Sequence, residues 1–162
     1  MKFNFIKKSV VASIFIFSSI ICFSIEAQWV ERYYVDEFGD KTDQKYESLM
    51  AEGTFSNSAT TNSKATYSFV KDTESLIINV YEYGSSLATS IDPTFETVKI
   101  KQPSGNVVTI ERVFFTKSGK LFFNEDSFKE LLNTIQESGE YRMIFNRSGE
   151  YSQSSYNIKF KL

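Results

Sequence analysis

Asn157-Ile158-Lys159-Phe160-Lys161-Leu162 ends the chain, and its reading decides the fold. Ile158, Phe160 and Leu162 alternate with Asn157, Lys159 and Lys161. A period of two marks a strand with one face on a core and the other in water. The pattern recurs in Thr66–Val70, where Tyr67 and Phe69 alternate with Thr66, Ser68 and Val70. It recurs again in Phe95–Lys101, with Val98 and Ile100 set against Thr97, Lys99 and Lys101. Leu76-Ile77-Ile78-Asn79-Val80-Tyr81, within Ser75–Tyr83, is apolar on both faces, as a central strand is.

Further strands are predicted at Trp29–Val35, Tyr46–Met50, Thr54–Ala59, Val107–Phe115, Leu121–Phe123 and Tyr141–Phe145, with Gly53 separating the second and third of these. Asp36-Glu37-Phe38-Gly39-Asp40, Pro103-Ser104-Gly105-Asn106 and Thr116–Lys120 carry turn chemistry, and Gly84–Thr94 reads as a polar loop. One helix is predicted over about 126–138. Ser127 and Glu130 form a capping box, Phe128, Leu131, Leu132 and Ile135 make one apolar stripe, and Gly139 stands at the C-terminal cap. The fold class is therefore mainly β: a single β-sandwich or flattened barrel of about eight or nine antiparallel strands with one packed helix.

The first 27 residues have the order of a secretory signal peptide. Lys2, Lys7 and Lys8 precede an apolar run from Ser9 to Phe23, and Ser24-Ile25-Glu26-Ala27 ends in a small residue. Cleavage at Ala27–Gln28 leaves one β-rich domain over 28–162, periplasmic or secreted, that meets the membrane only during export. A lipid anchor at Cys22 is disfavoured, because Ile21 stands where such sites want a small residue. Cys22 is the only cysteine, so the exported domain has no disulfide.

Composition removes whole classes of chemistry. The chain has no histidine, which excludes Ser-His-Asp and Cys-His catalytic units and any His-ligated zinc or copper. Without Lys2, Lys7, Lys8 and Glu26, 15 basic residues face 19 acidic ones, a net charge of −4 that argues against nucleic acid as a partner. No cofactor is expected. Ser68-Phe69-Val70-Lys71 has Ser-x-x-Lys spacing, but on a strand those two residues face opposite sides. Asp36, Asp40 and Asp43 form a weak candidate for Ca²⁺, lacking EF-hand spacing. Glu74, Glu82, Glu96 and Glu111 lie on or beside strands and supply the carboxylates that glycoside hydrolysis would need.

The stretch Ser56-Asn57-Ser58-Ala59-Thr60-Thr61-Asn62-Ser63 is uncharged and nearly all hydroxyl or amide. Such groups bond a ligand's hydroxyls or the chain's own backbone. Asn57, Thr60, Thr61 and Asn62, beside Tyr67 or Tyr81 and joined to Asp36, Glu37 and Asp40, form the candidate ligand surface. Tyr33, Tyr34, Tyr81 and Tyr83 can offer aromatic faces, and an exposed edge strand can accept a partner strand.

Tyr34-Val35-Asp36-Glu37-Phe38-Gly39-Asp40, then Lys45-Tyr46, then Gly53-Thr54-Phe55 running into Ser56–Ser63, resembles small exported β-domain proteins of Bacteroidetes to which no function is assigned. The resemblance implies an envelope or secreted β-domain and transfers no catalytic residue. The expected function is a non-enzymatic binding domain of the bacterial envelope, its ligand a protein or a glycan. The alternatives are a small carboxylate-dependent glycan hydrolase and an assembly subunit that pairs through an edge strand.

Overall fold

A computed structural model describes residues 29–89, 92–148 and 153–162. The predicted leader, with Cys22, lies outside the described residues. The strands are β1 (Val30–Val35), β2 (Lys41–Ser56), β3 (Ser63–Lys71), β4 (Leu76–Glu82), β5 (Ser86–Leu87), β6 (Thr94–Lys101), β7 (Val107–Phe115), β8 (Lys120–Phe123), β9 (Glu140–Ser148) and β10 (Gln153–Lys161), with one helix, α1 (Glu125–Thr134). Eight strands close an antiparallel barrel in the order β2, β10, β9, β6, β7, β8, β4, β3 and back to β2. β1 adds to β2 and β5 adds to β4, outside that ring.

Closure depends on β2, a 16-residue strand. One of its edges pairs with β3 through Glu47–Phe55. The other pairs first with β1, from Lys41 to Ser48, and then with β10, from Glu52 to Ser56. Gly53 faces inward at this seam, where an added Cβ would lie 1.9 Å from the Asn157 carbonyl oxygen. The expectation of two strands separated by Gly53 is therefore corrected: the glycine allows a close approach to β10 and breaks nothing.

The period-two pattern fills the interior. Ser154, Tyr156, Ile158 and Phe160 of β10 point inward, as do Tyr141, Met143 and Phe145 of β9. Aromatic rings stack through the centre, with Phe145 against Tyr156 at 4.6 Å and Tyr141 against Phe160 at 5.3 Å between centroids. Each large apolar side chain buried here contributes roughly 1.5–3 kcal/mol.

The strand directions give the barrel two unlike ends. The loop end gathers residues 57–62, 83–89, 92–93 and 116–119. The arm end gathers 72–75, 102–106, α1 and the hairpin of β1 with β2. α1 packs on β7 and β8 and sends Phe128 and Leu131 into the core. Its N-cap is Asn124, whose Oδ1 accepts the Ser127 N–H at 3.1 Å. Ser127 is thus three residues inside the helix, its hydroxyl donating back to Asn124 Oδ1 at 2.8 Å. The helix ends at Thr134, short of the expected 138, because Gly139 pairs with Leu162 through two backbone bonds of 2.8 and 3.1 Å and so leads into β9.

Candidate functional site

Ser56–Ser63 joins β2 to β3 at the loop end, and much of its polarity is turned on itself. Asn57 Oδ1 accepts the N–H groups of Ala59 (2.9 Å) and Thr60 (3.0 Å). Ser56 Oγ accepts the N–H of Asn62 (2.9 Å), and the Thr60 and Ser63 hydroxyls bond each other. Ser58, Thr61 and Asn62 remain exposed, Asn62 with a left-handed φ of 53°. Tyr67 does not stand beside this loop as a surface ring, because it points into the barrel and bonds the Thr54 carbonyl at 3.1 Å.

The Asp36–Asp40 turn lies at the other end of the molecule. All of β2 separates it from Ser56, about 50 Å of extended strand, so the two halves of the expected surface are not brought together. The turn is the tip of an arm. Residues Lys41–Tyr46 of β2 pair with β1 alone, and the far edge of β1 carries no described strand. The arm is held by its own side chains. Tyr34 packs on Tyr46 with centroids 4.8 Å apart, and Lys41 Nζ sits 3.3 Å above the Tyr33 ring. Lys45 reaches Glu31 at 3.0 Å, and this hydrogen bond, aided by that from Tyr33, holds the Glu31 carboxyl below its ordinary range. Asp36 Oδ1 caps the turn by accepting the N–H groups of Phe38 and Asp40, each at 2.9 Å. Val35 and Phe38 are left 64% and 82% exposed. Among the described residues no three acidic side chains lie grouped as a metal site would need, Asp36, Asp40 and Asp43 included.

A second polar group lies just inside the loop end. Of the four carboxylates considered, Glu82 and Glu96 face inward, while Glu74 and Glu111 are exposed. Tyr156 donates to Glu82 Oε1 at 2.7 Å, and burial followed by that bond raises the phenol well above its usual range. Glu96 is only 8% exposed, and burial pushes its carboxyl up against the opposing pull of the Thr94 hydroxyl (2.5 Å) and of Arg147. Arg147 lies 5.3 Å from the Phe115 ring and donates to the Thr89 carbonyl at 2.9 Å. Two carboxylates, a phenol and a guanidinium thus share the rim of one barrel mouth. Arg147 follows Phe145 in inward parity, so extending that strand by two residues would have found it.

Ser68 and Lys71 take opposite faces of β3, as strand geometry requires, and Lys71 is held by Glu47 (2.5 Å) and the Trp29 ring (4.6 Å). Tyr81 is half-buried on the outer face of β4, and Tyr83 is exposed at φ 52° against Phe55. Among the described residues no helix is long and apolar enough to cross a membrane. Comparison with known proteins finds no matching family model, no matching curated protein and no matching solved structure.

Proposed function

We propose that this chain is an exported, non-enzymatic interaction domain of the bacterial envelope that engages a protein partner through the β1–β2 arm. One observation carries the reading: the barrel closes on itself, while the arm stands off it with an edge that no strand among the described residues pairs, and with exposed Val35 and Phe38 at its tip. A free edge offers backbone donors and acceptors to an added strand, and the apolar side chains beside it give selectivity. The resemblance to exported β-domains of Bacteroidetes fits this role.

The test is a crosslinking pull-down from envelope extract of the source cell. Wild type and an Asn57→Ala/Thr61→Ala/Asn62→Ala variant should recover the same partner. A Val35→Ser/Phe38→Ser variant should lose it without a change in Tm, since both side chains are exposed. Loss with the loop variant and retention with the arm variant would overturn the assignment. Recovery of the chain itself would mark assembly between copies through the same arm.

A second reading draws on the loop-end mouth. Glu96, whose carboxyl burial raises, and Glu82, bound to Tyr156, supply the two carboxylates of a glycan hydrolase. It predicts release of reducing sugar from peptidoglycan, abolished by Glu96→Gln with the fold intact. No release by wild type removes it.

A further inference from the structure

The alternation that fills the barrel also sorts charge on its outside. Lys101 of β6, Arg142 of β9 and Lys159 of β10 stand directly opposite one another across three neighbouring strands, all exposed on the outer face. Lys99 lies two positions along β6 and Lys161 two positions along β10, also exposed. The row spans about 10 Å, and the flanking cations stand about 7 Å from it. Like charges directly opposite on one sheet face cost stability. Two acids border the group, Glu52 opposite Lys159 and Glu140 opposite Lys161, which leaves five bases against two acids on this face. A local rule broken in this way points to a functional surface.

Beside the row is a hollow of about 320 Å³ lined by Lys101, Gln102, Pro103, Glu140 and Arg142. Glu140 accepts from Arg142 Nε at 3.2 Å, which keeps a carboxylate among the cations. Gln102 is anchored through Nε2 to the Thr134 carbonyl at 2.8 Å, and its amide oxygen is an acceptor. The Pro103 ring packs against Gly139, where an added Cβ would come within 2.8 Å of it. This combination suits a sugar unit. Hydroxyls donate to Glu140 and Gln102, the ring packs on Pro103, and an acidic substituent meets Arg142 and Lys101. The Glu140 carboxylate opposes a purely anionic ligand, whereas a sugar unit offsets that repulsion with the hydroxyls it donates.

We infer that this face binds a linear acidic glycan, with one unit in the hollow and the carboxylates of its neighbours along Lys101, Arg142 and Lys159. It uses strands other than those of the arm, so the two surfaces can be tested apart. The experiment is calorimetric titration of the purified chain with sodium alginate, a polymer of uronic acids. Neutral dextran, phosphatidylcholine–phosphatidylglycerol vesicles and duplex DNA serve as comparison probes. Alginate binding should weaken with added salt, be absent with dextran, and persist in the Val35→Ser/Phe38→Ser variant. Lys101→Gln/Arg142→Gln/Lys159→Gln should weaken it roughly tenfold or more, with Tm unchanged or raised. Glu140→Gln, a single exposed change, should weaken alginate binding as well, and it decides the matter if the triple variant folds poorly. No alginate binding by wild type, or equal binding by the triple variant, overturns the inference. Vesicles or DNA bound as tightly as alginate, with Glu140→Gln strengthening every probe, would leave simple charge attraction and overturn the glycan assignment.

Discussion

Gly53 shows how much one missing side chain decides. Its position on β2 faces the barrel interior at the seam with β10, and a methyl group would meet the Asn157 carbonyl oxygen at 1.9 Å. The obstacle is backbone, which cannot swing aside as a side chain can. Gly53→Ala should therefore cost about 3 kcal/mol or more, read as a lowered midpoint in urea denaturation. An unchanged midpoint would show that the seam is looser than described. Glu96 makes a pH-dependent prediction. Burial raises its folded-state pKa above the ordinary glutamate value, so its contribution to stability is fully present below that value and is lost as pH rises through the folded one. Glu96→Gln cannot titrate there. The Tm of wild type relative to the variant should be more favourable at about pH 4 than at about pH 7. A difference that does not vary with pH would contradict the burial argument.

Elements were legible where a single period ran without interruption. Val107–Phe115 is the predicted strand residue for residue, and the closing alternation forms the core of β10. The reading failed where one residue type serves two purposes. In the sequence Gly53 reads as a break and Gly139 as a helix cap, because glycine marks turns, caps and close approaches alike, and only the neighbouring strands tell them apart. Ser127 has the look of an N-cap because it precedes an apolar stripe, yet Asn124 three residues earlier accepts its N–H. Asn124→Ala should lower stability by about 1 kcal/mol, measured by thermal or denaturant unfolding. Ser127→Ala should not reproduce that loss through capping, since its hydroxyl serves Asn124 and not an unpaired helix N–H.

At the scale of the molecule, the sequence implied strands and a core but not which ends meet. The ring order depends on pairings between distant segments, such as β2 with β10, and alternation says nothing about partners. For the same reason the sequence does not show that a single long strand holds Asn57, Thr61 and Asn62 at the opposite end from Asp36 and Asp40. Glu82 and Glu96 were visible as acids, but their meeting at one mouth with Tyr156 and Arg147 depends on closure. The claim that most needs testing is that the arm is the face for a protein partner. A photo-crosslinking residue would be placed at Val35 on the arm, at Thr61 on the loop end or at Thr97 on the barrel wall, in the chain expressed in its source cell. One discrete adduct is expected from Val35 and none from Thr61 or Thr97. An adduct from Thr61 with none from Val35 would contradict that claim.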